Sequence, residues 1–417
     1  MTNLSVIDEQ ITRSSFFAGQ EFHEAFRTLR REDPVHWTEH PNYAHGFWSV
    51  TKHADVKRIL EDPITFSSYT NTHLPPDPTP LTYEERLVRG QEHILAFLDP
   101  PNHGIMRRPM NKHFSAPAVN RYTDEVEQIV QDIVGEVGPN GQADLVEEIA
   151  AQLPVRLIFS MMDVPREDWD RIRKAAVTFM QPEDPAYILN NDVTSTQMAG
   201  ITTLTDYISD LALKRRTTPG MDFASIIGAM EVEGRPLTGE EVRWFCFLFF
   251  TGGLETTRNA TAVGLWQFME NPDQAQIVRD NPDALKGAVE EVLRWVTPSK
   301  NRLRVATEDV EVGSKTIKKG DWLVTWLVSA NRDEDVFDRP DAFDVTRDPN
   351  PHLGFGIGEH LCLGRYLARL ELGVILSGVL NGLPDMKAAA APVWVESNNH
   401  TAFRSLPVTF TPTLVHA

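Results

Sequence analysis

The longest hydrophobic pattern in the chain runs over Gly239–Glu270. Thr238 and Glu241 form a capping-box signature at its start, and Asn271-Pro272 supplies a stop. At 1.5 Å per residue the pattern predicts a helix about 48 Å long, enough to cross a whole domain. Residues 245–250 are apolar on every side, so the middle of that helix must be buried. Helical periodicity also marks residues 119–137, 167–178, 202–214 and 365–380. Strand patterns are shorter. Residues 34–37 and 46–50 look like a pair, as do 310–312 and 316–317, followed by 322–326. The expected fold is mainly α, with a minor β portion at roughly 34–70 and 300–330 and in C-terminal strands. No repeat and no Gly/Ser linker divides the chain, so one domain over residues 1–417 is expected. Pro75, Pro76, Pro78 and Pro80 exclude helix from residues 71–81 and predict an extended loop, either plain surface or a pocket wall.

Two places break these patterns. Inside the long helix lies Thr251-Gly252-Gly253-Leu254-Glu255-Thr256-Thr257. Glycine costs about 1 kcal/mol in a helix interior, and a buried acid costs more unless something uses it. A threonine hydroxyl can bond back to the carbonyl four residues earlier. The segment therefore reads either as a helix crossing eased by small residues or as a polar notch that moves protons in a dry pocket. The second place is Phe355-Gly356-Ile357-Gly358-Glu359-His360-Leu361-Cys362-Leu363-Gly364, just before the helical pattern at 365–380. A cysteine at a helix N-terminus meets free N–H groups that favour its thiolate. Glycines around it let the backbone lie against something large and flat.

That ten-residue pattern resembles the haem-binding signature of the cytochrome P-450 family: Phe, Gly, any, Gly, any, His, any, Cys, any, Gly. The resemblance makes Cys362 the axial ligand of the haem iron, with Phe355, Gly356, His360 and Gly364 against the haem. The helix notch is similar to the family's oxygen-activation motif, which implies proton delivery by Glu255 and Thr256. Glu290-Glu291-Val292-Leu293-Arg294 resembles its Glu-x-x-Arg motif. Alone, Glu291 and Arg294 read as a surface ion pair. The resemblance makes them a structural triad with Arg347. His103 and Arg107, with Arg304 and His360, match positions that meet the haem propionates. Ile105 stands where the family usually has another arginine.

The resemblance implies the soluble bacterial type: a triangular helical prism, haem b (iron protoporphyrin IX) as cofactor, and a monooxygenase that inserts one atom of O2 into a small molecule. Electrons are expected from a ferredoxin and its reductase, since no Gly-rich dinucleotide motif is present. The donor would dock on the cysteine side, on Arg107, Arg108, Lys112 and Arg365. By family register the pocket draws on residues 91–97, 181–193, 299–301 and 398–401, with Phe249 and Gly253. Ser299, Lys300, Asn399 and His400 are its polar candidates. The substrate is expected to be a terpenoid, steroid or fatty-acid-like molecule, with a polar group if those side chains face inward. A peroxygenase, a phenol-coupling enzyme and a haem-thiolate sensor remain alternatives.

Charge and cysteine usage fit this reading. Lys plus Arg is 40 against 59 Asp plus Glu, a net charge of −19. Such a surface disfavours nucleic acid and anionic membranes. Two cysteines exclude a disulfide scaffold, and Cys246, among aromatics, reads as inert core. No run of about 20 apolar residues exists, so no membrane span is expected and the protein should be cytoplasmic.

Overall fold

The computed structural model describes residues 4–39, 46–75 and 82–413. The fold is mainly α with a small β portion, as the pattern expects. The long helix spans Gly239–Glu270, with both halves of the capping box formed. Glu241 N donates to Thr238 Oγ1 at 3.1 Å, and Thr238 N donates to Glu241 Oε2 at 2.7 Å. This central helix packs against Gln152–Met161, Val193–Arg215, Ala284–Val296 and Arg365–Gly382. The last of these, the cysteine helix, begins where the cysteine motif ends. Small residues set the approaches. A Cβ on Gly264 would come within 2.7 Å of Val292, on the Ala284–Val296 helix.

Two helices differ from the periodic expectation. The 119–137 pattern splits into Ala116–Asn120 and Thr123–Val137. Tyr122 leaves helical geometry (φ −92°, ψ 1°), and Thr123 Oγ1 donates to the Asn120 carbonyl at the break. The 202–214 pattern begins nine residues earlier, at Val193, where Asp192 caps the Ser195 N–H. Its Thr- and Ser-rich first turns carry little hydrophobic signal.

The principal sheet holds five strands: β1 Val35–Thr38, β2 Phe47–Val50, β3 Phe66–Ser67, β4 Asn301–Ala306 and β5 Trp322–Trp326, in spatial order β1-β2-β5-β4-β3. β1 and β2 pair antiparallel, Val35 opposite Val50. Val310–Val312 and Lys315–Ile317 form a hairpin of their own. β5 leaves it and enters the main sheet, parallel to β2 and antiparallel to β4. Residues 72–74 run beside β4, tied by Leu303 N to Thr72 O and by Leu74 N to Asn301 Oδ1, both 3.0 Å. Pro76, Pro78 and Pro80 lie outside the described residues.

Candidate active site

The two glycines of the helix notch do different things. A Cβ on Gly253 would meet Ile158 Cδ1 at 2.5 Å, so Gly253 is a packing glycine. A Cβ on Gly252 would meet nothing within 4 Å, and Gly252 is exposed in the middle of a buried helix. Thr256 lies one turn on and shares that opening. Its Oγ1 donates back to the Gly252 carbonyl at 2.9 Å. Glu255 points elsewhere, because consecutive helical residues diverge by about 100°. It is 3% exposed, and its Oε2 accepts from Gln181 Nε2 and Arg258 Nη1, both at 3.0 Å. Arg258 reaches on to Glu147, which also pairs with Arg173. A chain of polar groups thus leads from the buried acid to half-exposed side chains. The acid and the alcohol are neighbours in sequence but do not touch.

The cysteine loop is built from turns that only glycine enters freely. Gly356 and Gly358 have φ of 69° and 75°. A Cβ on Gly358 would meet the Leu60 carbonyl at 2.5 Å, so that glycine also permits close packing. At Gly356 and Gly364 a Cβ would meet nothing within 4 Å, so their open side is vacant of protein. Cys362 N donates to Phe355 O at 3.0 Å. Burial raises the Cys362 thiol above its ordinary range. The Gly364 N–H and the charges of Arg302, Arg107 and Arg365 pull the other way. Cys362 is only half-buried, so part of it is not covered by protein.

Cations gather around this loop. His103 Nδ1 lies 3.0 Å from Glu359 Oε1, and its ring packs on His360 with centroids 4.2 Å apart. Arg107 donates to the carbonyls of Glu359 and Leu361. Arg304, 3% exposed, donates to its neighbour's carbonyl, Leu303 O. His360 Nε2 lies 3.0 Å from Ser68 Oγ. Burial, then the charges of Arg304, His103, Arg107 and Arg302, push the His360 pKa down to about 2. Asp99, held by Ser67 and Ser68, and Glu359 are the acids nearest this group. Positive charge exceeds negative charge in a buried place, which an anionic ligand would correct.

The third predicted group is closed. Arg294 grips Glu291 through Nε and Nη2 at 2.8 and 2.7 Å, and both side chains are fully buried. Arg347 Nε adds a contact at 3.2 Å, and Asn350 and the Asp344 N–H fill the remaining positions on the carboxylate. The surface-pair alternative for Glu291 and Arg294 does not hold.

Of the pocket candidates, Phe249 stacks on Phe223 at 4.6 Å, and Ser299 pairs with His400 in an isolated β-bridge. Asn399 Oδ1 accepts from Asn301 Nδ2 at 3.0 Å. Lys300 corrects the expectation. Its ammonium donates to the Ser397 and His400 carbonyls and lies over the rings of Phe17 and Phe22, in the core beneath the N-terminal helices. It is tied to the framework and turned toward those aromatics.

The family model described as "Cytochrome P450" matches residues 13–382. This chain belongs to the cytochrome P450 family. It is 36% identical to a protein named putative cytochrome P450 126 of Mycobacterium tuberculosis, over 97% of both chains. It is 33% identical to a steroid C26-monooxygenase of Mycolicibacterium smegmatis, covering 90% of this chain and 87% of that one. Among solved structures it superposes with TM-score 0.88 on the Mycobacterium marinum cytochrome P450 CYP268A2 in complex with pseudoionone, at 33% identity over 95% and 97% of the two chains. This cytochrome P450 is a monooxygenase, acting on a small molecule with O2, and the family implies a haem-thiolate cofactor. Among the described residues no helix is long and apolar enough to cross a membrane.

Sequence reasoning about this cytochrome P450 missed two half-buried groups, Arg302 and His73. Arg302 was legible in principle. Arg302 and Arg304 are two apart on a strand, so they share a face. His73 gave no signal, because nothing local to 71–75 reveals its packing beside β4. On the outer side of the cysteine loop is a concavity of about 880 Å³, lined in part by Arg107, Arg108, Leu361, Leu363, Arg365 and Tyr366.

Proposed function

We propose that this P450 holds haem b through the Cys362 sulfur and hydroxylates a mostly apolar terpenoid, steroid or fatty-acid-like molecule. The observation that carries the reading is the pairing of a half-buried Cys362 with glycines whose open sides no side chain fills. The residues fit the group. Gly356, Gly364 and Gly252 leave room for a flat macrocycle, Arg304 and Arg107 supply positive charge for two propionates, and His360 and His103 offer neutral ring nitrogens beside them. Phe355 would lie beside the sulfur, its ring capped by Arg369 at 4.6 Å. Bound haem supplies the redox chemistry that activates dioxygen, and the thiolate promotes O–O cleavage. The iron's charge would offset the burial that otherwise keeps the thiol protonated.

The chain's own part is positioning and proton supply. Thr256 Oγ1 would present a hydroxyl to the oxygen site from the opening above Gly252. Glu255, held in place by Gln181 and Arg258, would relay protons inward from the half-exposed side of Glu147 through water, with a water spanning the gap to Thr256. The aromatic cluster of Phe114, Phe223 and Phe249 would help keep bulk water out. A ferredoxin-type donor would dock at the concavity on the cysteine side, where Arg107, Arg108 and Arg365 meet two leucines. One domain over the whole chain and a cytoplasmic location complete the reading.

Pseudoionone, the ligand named for the similar CYP268A2 structure, supports an apolar substrate. The test is spectroscopic. Reduced, CO-bound protein should show the red-shifted Soret band of a thiolate-ligated haem, and Cys362→Ser should abolish it. In Thr256→Ala, electron consumption should continue while product falls and peroxide rises. Unchanged coupling would sink the role given to Thr256.

A further inference from the structure

Arg302 is an unusual cation. It sits on β4, two residues before Arg304, and forms no ion pair among the described residues. Its Nη1 reaches three neutral groups: Asn301 O at 2.8 Å, His73 Nε2 at 2.6 Å, and Ser299 Oγ. Because a guanidinium only donates, His73 Nε2 must accept, which places the His73 proton on Nδ1, toward Thr72 Oγ1 at 3.1 Å. The His73 ring faces His400 with centroids 5.9 Å apart. His400 is 8% exposed, and its Nδ1 has no partner. Arg302 itself is half-buried, so part of its side chain is not covered by protein.

The surrounding charges leave this corner positive. Arg304 lies next along the strand and has Asp99 as its nearest acid. Lys300 is held by two carbonyls, with Glu183 as its charge partner. Among the described residues no acid acts on Arg302. Its remaining electrostatic partner of opposite sign is the Cys362 sulfur. Burial and these neighbours hold His73 and His400 neutral, so neither histidine adds to the charge. A desolvated guanidinium beside an orphaned imidazole nitrogen and a serine hydroxyl has the donors that a planar carboxylate accepts.

We propose that Arg302, with His73, Ser299 and His400, is the anion-accepting end of the substrate pocket, and that the substrate is an apolar molecule carrying a carboxylate. This rests on the haem-monooxygenase reading above and narrows its substrate class. The propionates are the rival anions. Arg304, His360, His103 and Arg107 already surround the cysteine loop, whereas Arg302 is hydrogen-bonded to Ser299, whose β-bridge joins it to the pocket segment at His400.

A probe anchored on the iron removes the need to know the substrate's skeleton. ω-Imidazolyl alkanoic acids of increasing chain length bind such a haem through the imidazole, and the matching ω-imidazolyl alcohols differ only at the far end. In the wild-type holoenzyme the acid should bind about tenfold tighter than the alcohol at one or more lengths, a difference of about 1.4 kcal/mol. Arg302→Met should erase the preference, and Arg302→Lys should keep part of it. Equal binding of acids and alcohols at every length overturns the proposal without any variant. So does a preference that survives Arg302→Met while haem loss accelerates, which would assign Arg302 to a propionate. An intact thiolate CO spectrum with no acid preference rejects this subsite alone. A missing spectrum rejects the underlying reading and this one with it.

Discussion

Two buried clusters of charge lie near each other and are built in opposite ways. Around Glu291 every strong donor finds an acceptor. Arg294 adds the carbonyls of Asn331, Pro340 and Ala342 to its carboxylate pair, and Arg347 those of Asp338, Arg339 and Ala342. Around Cys362 and β4 the cations outnumber their partners. Among the described residues Arg304 bonds only to an adjacent carbonyl and Arg302 only to neutral groups, and both guanidinium pKa values fall to about 10 through burial. A desolvated charge is tolerated when it is matched, and an unmatched one marks a place where a ligand completes the match. The first cluster stabilises the chain by itself. On the proposed reading, the second would weaken the free chain and strengthen its complex with haem.

The sharpest way to break the comparison is to unmatch the closed cluster. Glu291→Gln leaves Arg294 and Arg347 buried without a carboxylate. Removing one partner of a fully buried pair costs about 3–5 kcal/mol. Urea unfolding of the holoprotein should show a loss of that size, with little folded enzyme recovered at higher temperature. A loss under about 1 kcal/mol would mean that the triad is no more than a surface pair in its energetics.

The same operation on the open cluster should do something different. Arg304→Met removes a cation that has no carboxylate partner, so the fold without haem should be unharmed or slightly firmer. The loss should appear in haem retention. A hydrogen bond to a charged group contributes about 1.5–3 kcal/mol, so haem transfer to apomyoglobin should quicken about tenfold or more. Equal damage to fold and to haem retention would erase the distinction between the clusters.

What the sequence revealed follows the same division. The closed triad, the cysteine loop and the capping box are local patterns. Spacing of three, a glycine pair and Thr-x-x-Glu are readable because the partners are near in the chain or fixed by a motif. The central helix matched its expected ends for that reason. The 119–137 helix did not, because its break at Tyr122 interrupts no hydrophobic period. The open cluster joins residues more than two hundred positions apart: His73 to Arg302 and Ser68 to His360. Lys300 shows the limit most plainly. Its neighbours Ser299 and Arg302 meet His73, yet its own ammonium turns to Phe17 and Phe22. Strand alternation suggests such a split, but only the tertiary fold says which side is pocket.

The smallest effect tests whether the positive corner near β4 is real in solution. Burial, then the charges of Lys300 and Arg302, lower the His400 pKa to about 3. The unfolded chain has an ordinary histidine, with a pKa near 6.5. Below that value the unfolded state binds a proton that the folded state refuses, so stability falls as pH falls toward 5. The loss from this one group between about pH 7 and 5 should be about 1–2 kcal/mol. His400→Leu removes the titration. Its unfolding free energy should therefore fall less steeply than that of the wild type over this range, whatever the substitution does to stability at neutral pH. Parallel profiles would mean that His400 is protonated in the folded protein, and that the corner already holds a negative partner.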